Sequence, residues 1–320
     1  MIRFWAFLCL LSFLAPSGLL PQTLDPGLLL KPPAIAWPTY NGDYSGRRFS
    51  PLTQIDQSNI KNLNLAWIYR LNVGETPGAM VGGEGSRAKP GERTSAFGGP
   101  TLKATPLMVN GVLYFATPDN AWAVDARTGR EIWHYFWRTR GGIHIGNRGM
   151  GMYGNWLFFE TPDNYLVSLD AKTGKGRWHK EIADVKQEYF STSAPVVIGN
   201  HVILGTGGDS LDVPGFLDAR DPEPGEVQWK WWSEPLKKGD PGADSWPNEY
   251  SMRHGGGMTW IPGTYDPELH LYYVGTGNPN PVMAGQSRKG DNLYTCSIVA
   301  LNVDTGKLVW HFQGSPHDTH

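Results

Sequence analysis

Gly111-Val112-Leu113-Tyr114-Phe115-Ala116-Thr117-Pro118-Asp119-Asn120 runs directly into Ala121-Trp122-Ala123-Val124-Asp125-Ala126-Arg127-Thr128-Gly129-Arg130-Glu131-Ile132-Trp133. The same order of residues returns from Gly154-Asn155-Trp156-Leu157-Phe158-Phe159-Glu160-Thr161-Pro162-Asp163-Asn164 through Asp170-Ala171-Lys172-Thr173-Gly174 to Trp178. Each copy reads as a strand, a Thr-Pro-Asp-Asn turn, a second strand, an Asp-Ala-x-Thr-Gly turn, and a short strand closing on tryptophan. The glycine of the second turn can take positive φ, and the aspartate can accept bonds from the turn's own backbone N–H groups. The tryptophan can fill the gap between neighbouring units, where its indole N–H needs a partner.

Working outward, a looser third copy spans His201-Val202-Ile203-Leu204-Gly205 to Trp229, and a fourth spans Leu271-Tyr272-Tyr273-Val274 to Trp310. Leu65-Ala66-Trp67 reads as the closing strand of a unit whose other strands come from elsewhere. The tryptophans at 67, 133, 178, 229 and 310 are separated by 66, 45, 51 and 81 residues. A spacing near 45 is that of one four-stranded blade, so the fold class expected is all-β, a β-propeller with Trp-ended blades. The wider gaps hold insertions, 74–100 and 234–258, both expected as loops. An ordinary antiparallel sandwich is the alternative, and it does not account for four Trp-ended repeats.

Composition agrees. Forty glycines and 25 prolines in 320 residues are too many breakers for a helical chain. A formal net charge of −2 without a basic block excludes a nucleic-acid partner. The amino terminus, Met1 to Gly18, sets Arg3 before a short apolar run, the pattern of a signal peptide. The run is shorter than the roughly 20 residues a membrane span requires. An exported chain is therefore expected, with residues 1–18 as leader and 35–320 as one propeller domain. Cys9 lies in the leader, and Cys296, flanking a strand, is expected to be a small buried hydrophobe. No disulfide framework is expected.

Candidate chemistry lies where the repeat breaks. Gly205-Thr206-Gly207-Gly208-Asp209-Ser210 and Gly275-Thr276-Gly277-Asn278-Pro279-Asn280 stand where the first two copies carry Thr-Pro-Asp-Asn. In a propeller such positions converge on one mouth of the channel. A carboxylate and an amide oxygen there suit a hard cation such as Ca²⁺, although self-satisfied Asx turns explain the same residues. Arg148 can face an anion, and Trp260 after Gly255-Gly256-Gly257 can stack on a planar ligand or fill core. His311, His317 and His320 cluster near the carboxyl end, but their spacing is not a zinc pattern.

These residues also carry a resemblance. From Trp37 onward, through Arg48-Phe49-Ser50-Pro51-Leu52, Tyr265-Asp266-Pro267-Glu268, the Gly-Thr-Gly-Asn-Pro-Asn-Pro stretch, Gly290-Asp291-Asn292-Leu293-Tyr294-Thr295 and Ser315-Pro316-His317-Asp318, the chain resembles the pyrroloquinoline-quinone (PQQ)-dependent alcohol dehydrogenases. The resemblance implies a periplasmic quinoprotein oxidoreductase with an eight-bladed propeller, of which about the first half is present here. It also implies PQQ with a calcium or lanthanide ion, a small alcohol substrate and a cytochrome-type electron acceptor. It places Arg148, Thr192, Thr206, Gly207, Gly208 and Trp260 at cofactor-contact positions, and Asp209 and Asn278 at the ion.

The departures are specific. Asp209 stands where the family usually has Glu. Gly142-Ile143 stands where an adjacent cysteine pair is typical. Lys103 falls near a position where many members of the family have a cofactor-contacting Glu. The proton-abstracting Asp is expected one position past His320, so the chain reads as an N-terminal fragment with no catalytic base of its own. Ring closure then requires further blades or a second chain. The rival reading is a non-catalytic propeller scaffold or binding module.

Overall fold

The structure is a computed structural model that describes residues 23–71, 80–82, 102–139, 146–187, 189–207 and 212–319. The leader expected at 1–18 lies outside these residues. Largely buried strands separated by glycine turns give four sheets. The first holds β1 (Met80–Gly82), β2 (Leu107–Val109), β3 (Val112–Thr117), β4 (Asn120–Asp125) and β5 (Glu131–Trp137). The second holds β6 (Gly151–Tyr153), β7 (Trp156–Glu160), β8 (Tyr165–Asp170) and β9 (Gly176–Glu181). The third holds β10 (Val196–Ile198), β11 (His201–Gly205), β12 (Phe216–Arg220) and β13 (Val227–Trp232). The fourth holds β14 (Thr264–Asp266), β15 (Leu271–Gly275), β16 (Ser297–Asn302) and β17 (Leu308–Gln313).

Apart from β1, every sheet is an antiparallel meander of four strands in chain order. These are propeller blades, and the four make an open arc, about half of an eight-bladed ring. The innermost strands β2, β6, β10 and β14 are three residues each, too short to show a period in the sequence.

Two insertions differ from expectation. Within 74–100, expected as loop, Met80–Gly82 pairs in parallel with Tyr135–Trp137 and adds a fifth strand to the first blade. Within 234–258, also expected as loop, the 3-10 turn Ala243–Ser245 and helix α1 (Glu249–Arg253) form. Asn248 starts α1 by accepting the Ser251 N–H at 2.9 Å.

The repeat's physics is visible in each blade. Asp125 accepts the Thr128 N–H and hydroxyl, each at 2.8 Å, and Asp170 holds Thr173 at 2.8 and 2.7 Å. Gly129, Gly174, Gly225 and Gly306 all take φ near +70°, from +67° to +77°. Each lies against the tryptophan of the preceding unit: Trp67 on Gly129, Trp133 on Gly174, Trp178 on Gly225, Trp229 on Gly306. A Cβ at any of them would stand 2.5–2.8 Å from the side chains it meets. Bare backbone there lets blades approach. Trp67 takes its expected place, but the segment around it forms no strand.

The indole partners are uneven. Trp133 Nε1 donates to the Ala171 carbonyl at 2.9 Å and Trp229 Nε1 to the Val303 carbonyl at 2.8 Å. Trp178 Nε1 is buried with no partner, and Arg177 Nη1 bonds the neighbouring Pro222 carbonyl at 3.3 Å instead.

The amino-terminal segment straps the inner strands at one end of the channel. Leu24 N–H donates to Gly154 O, Trp37 pairs with Met108, Tyr44 Oη donates to Val197 O, and Tyr265 N–H donates to Tyr44 O. One apolar core runs through all four blades, including Tyr114, Leu157, Ile203 and Tyr272. The candidate residues sit on the loops that enter the inner strands and on those that follow the second strand of the third and fourth blades.

Candidate cofactor site

The site is built from one belt of hydrogen bonds that crosses the blades. Thr105 N–H donates to Arg148 O at 2.9 Å, and Arg148 N–H to Thr192 O at 3.1 Å. Gly207 N–H donates to Phe190 O at 2.8 Å, and Thr259 N–H to Thr206 O at 3.1 Å. Gly277 N–H donates to Met258 O at 2.8 Å, and Gly257 N–H to Asn278 O at 2.9 Å. Arg148, Thr192, Thr206, Gly207, Trp260 and Asn278 all lie on or beside this belt. Gly208 and Asp209 lie outside the described residues.

Side chains reinforce the belt. Arg148 Nη1 donates to Thr192 Oγ1 at 2.6 Å and to Thr192 O at 3.1 Å. Asn147 Nδ2 donates to Glu160 O at 2.9 Å, while Asn147 Oδ1 accepts Gly149 N–H at 2.8 Å. Asn164, at φ +62°, donates to Tyr189 O at 2.6 Å and accepts the Ser191 hydroxyl at 3.0 Å. The Thr-Pro-Asp-Asn turn therefore does more than reverse the chain: its asparagine fixes the loop that presents Thr192.

Positive charge gathers at one end. The Lys103 side chain packs on Gly146, where a Cβ would meet its Cδ at 2.5 Å. Arg48 Nη2 donates to Thr105 Oγ1 at 2.9 Å, one belt step from Arg148. The Arg48 stretch noted in the sequence thus acts by bracing the first loop.

At the other end, Trp260 is half-buried with Gly277 beneath it; a Cβ there would stand 2.3 Å from Trp260 Cζ3. A glycine is required for this approach. An aromatic face, a guanidinium and threonine hydroxyls suit a planar, anionic ring system. PQQ, an aromatic tricarboxylate quinone, has that chemistry, so these residues fit it. Thr192 and Thr206 are both buried, and the Thr206 hydroxyl lies on Met258 Sδ at 3.5 Å.

For a cation, the described residues supply Asn278. Its Nδ2 donates to Asp318 Oδ1 at 3.3 Å, which turns the amide oxygen into the atom a hard ion would meet. Among the described residues no group of three or more His, Cys, Asp or Glu side chains converges as a metal cage. His311 packs against Tyr294 and His317 Nδ1 bonds Gly290 O at 2.8 Å.

Sequence reading missed the surroundings of Asn278. Asp318 also accepts the Ser315 hydroxyl at 2.9 Å, and Arg288 bonds its carbonyl. Cys296 departs from the expectation of a small buried hydrophobe. It is partly exposed, takes φ +46° and bonds the Asp318 carboxylate. Burial first, then the Asp318 charge, push its thiol up to about 11.

The family model described as "PQQ: Glucose/ethanol/alcohol dehydrogenase, beta-propeller domain" matches residues 37–320. The chain belongs to this family of PQQ β-propellers. It is 36% identical over 304 residues to the quinohemoprotein alcohol dehydrogenase ADH IIB of Pseudomonas putida, covering 88% of this chain and 40% of that protein. It is 35% identical to the quinoprotein alcohol dehydrogenase PedH of Pseudomonas putida, over 85% of this chain and 45% of that protein. The solved structure of a europium-containing methanol dehydrogenase superposes with a TM-score of 0.73 at 30% identity, covering 92% of this chain and 51% of that one. The chain thus spans less than half the length of the curated relatives it matches.

Proposed function

We propose that this PQQ-family chain forms the amino-terminal half of an exported quinoprotein dehydrogenase. The enzyme oxidises a small alcohol in the periplasm and passes electrons to a cytochrome-type acceptor. The observation that carries the reading is the belt joining Arg148, Thr192, Gly207 and Trp260 at one mouth of the channel. Arg148, Thr192, Thr206, Gly207, Gly208 and Trp260 would hold PQQ, and Asp209 with Asn278 would hold calcium or a lanthanide.

When bound, the quinone supplies the two-electron acceptor and the ion supplies Lewis acidity. The chain's own residues supply placement. The Arg148 guanidinium, locked by two bonds to Thr192, fixes positive charge where an anionic ring edge would lie. Trp260, seated on Gly277, offers a rigid face and excludes water from one side. Asp318 orients the Asn278 amide.

The test is reconstitution of the full-length polypeptide carrying this sequence with PQQ and either Ca²⁺ or a lanthanide. Dye-linked oxidation of short alcohols is expected only with both components. A scaffold or binding module, the competing function, would bind neither and show no turnover.

A further inference from the structure

Glu160 is the one large side chain at a position that its sister blades fill with small residues. The residue before the turn threonine is Ala116 in the first blade, Gly205 in the third and Gly275 in the fourth. In the second blade it is a glutamate with no exposed surface. Nothing in the strand pattern requires an acid there. The carboxyl Oε2 accepts the Ser193 N–H at 3.3 Å, while Oε1 is buried with no hydrogen-bond partner. An unmatched buried carboxyl oxygen is costly and calls for a reason.

Its neighbours supply one. Glu160 touches both loops of the Arg148–Thr192 clamp: its carbonyl holds Asn147, and its carboxyl holds Ser193. The charged groups facing it are Asp218, Arg148 and Arg220, with the Tyr272 hydroxyl from the fourth blade also in electrostatic reach. We infer that Glu160 is a positioning residue for Arg148 and a proton-dependent control on how strongly the Arg148 end of the site holds an anionic ligand. This rests on the cofactor reading proposed above.

The direction follows from charge. Burial, the larger cause, and Asp218 push Glu160 up to about 8, against the pull of Arg148 and Arg220. Below that pH the carboxyl is neutral and Arg148 acts at full strength. Above it, the carboxylate offsets the guanidinium and repels an anion. Binding of a polyanion must then be accompanied by partial proton uptake at Glu160, and affinity must fall as pH rises.

The experiment is PQQ titration at saturating Ca²⁺, followed by Trp fluorescence, between pH 6.5 and 9.5 on the full-length protein and its Glu160→Gln variant. The wild type should weaken about tenfold across pH 8, the factor for one pKa unit of coupling. Glu160→Gln, which mimics the neutral acid, should match wild type at pH 6.5 and bind tighter at pH 9.5. Equal pH slopes would overturn the role of Glu160 while leaving the cofactor site intact. No PQQ binding by either protein at any pH would instead overturn the cofactor reading itself. Should the variant not fold, calorimetry of the wild type at pH 8 in two buffers of different ionisation enthalpy still decides. Proton uptake supports the inference and its absence refutes it.

Discussion

The indole of Trp133 covers Gly174 of the next blade, so closely that a Cβ on the glycine would stand 2.5 Å from Trp133 Cδ2, while Nε1 bonds the Ala171 carbonyl at 2.9 Å. The Trp133 ring thus meets a left-handed turn at Gly174 and a hydrogen-bond acceptor at Ala171. Gly174→Ala should cost about 1–2 kcal/mol for the positive φ and roughly as much again to displace the ring. Trp133→Ala should cost about 3–5 kcal/mol. Urea midpoints with unchanged slopes would measure both, and a Gly174→Ala loss below ~0.5 kcal/mol would contradict the packing described.

The unequal indole bonds give a sharper comparison. Replacing Trp133 by Phe leaves the Ala171 carbonyl short of a donor, whereas Trp178 Nε1 has no partner to lose. Trp133→Phe should therefore be more destabilising than Trp178→Phe by about 1 kcal/mol. Equal losses in denaturant titrations would show that the bond adds nothing net.

Thr192→Val removes the hydroxyl that accepts Arg148 Nη1 at 2.6 Å and keeps the side-chain shape. A bond to a charged donor is worth about 1.5–3 kcal/mol. If the clamp holds PQQ, equilibrium dialysis should show an affinity loss on the order of tenfold to a hundredfold without a comparable drop in melting temperature.

Cys296 should react slowly with iodoacetamide at pH 8, because its thiol lies near 11 and little thiolate is present. Asp318→Asn removes the carboxylate charge and the carboxylate as the thiol's hydrogen-bond acceptor, both of which push the thiol up, so alkylation should quicken. Burial remains, so the rate should stay below that of a free thiol. An unchanged rate would detach Cys296 from Asp318.

Glu234 should make stability fall with rising pH. It is fully buried, accepts the Ser233 hydroxyl at 2.6 Å through Oε2, and has no partner at Oε1. Burial raises its carboxyl well above the ordinary value. The stabilisation is complete below the unfolded value near 4.5 and is lost as pH climbs towards the folded one. Glu234→Gln should flatten the decline in denaturant midpoint between pH 5 and 9.

How much of this was legible in the sequence depended on repetition. The second to fourth strands of each blade repeat with glycine turns and a closing tryptophan, so they stood out. The inner strands, such as Thr264–Asp266, are three residues long and carry no period. Helix α1 is five residues and owes its start to Asn248, a single cap. Asn278 is marked by a break in the repeat, and Arg148 and Trp260 by the family resemblance. Glu160 had a visible signal, an acid aligned with Ala116, Gly205 and Gly275, but its consequence depends on Ser193 and Arg148, which only the fold brings near. Likewise, no spacing reveals that Asp318 reaches Asn278 across 40 residues.

The most direct measurement is a crystal structure of the protein grown with PQQ and a lanthanide, the ion located by its anomalous scattering. The predicted result is a quinone ring lying on Trp260 with one edge at Arg148 and Thr192, and the ion against Asn278 and Asp209. A ligand-free channel mouth, or a quinone bound away from the Arg148–Trp260 belt, would contradict it.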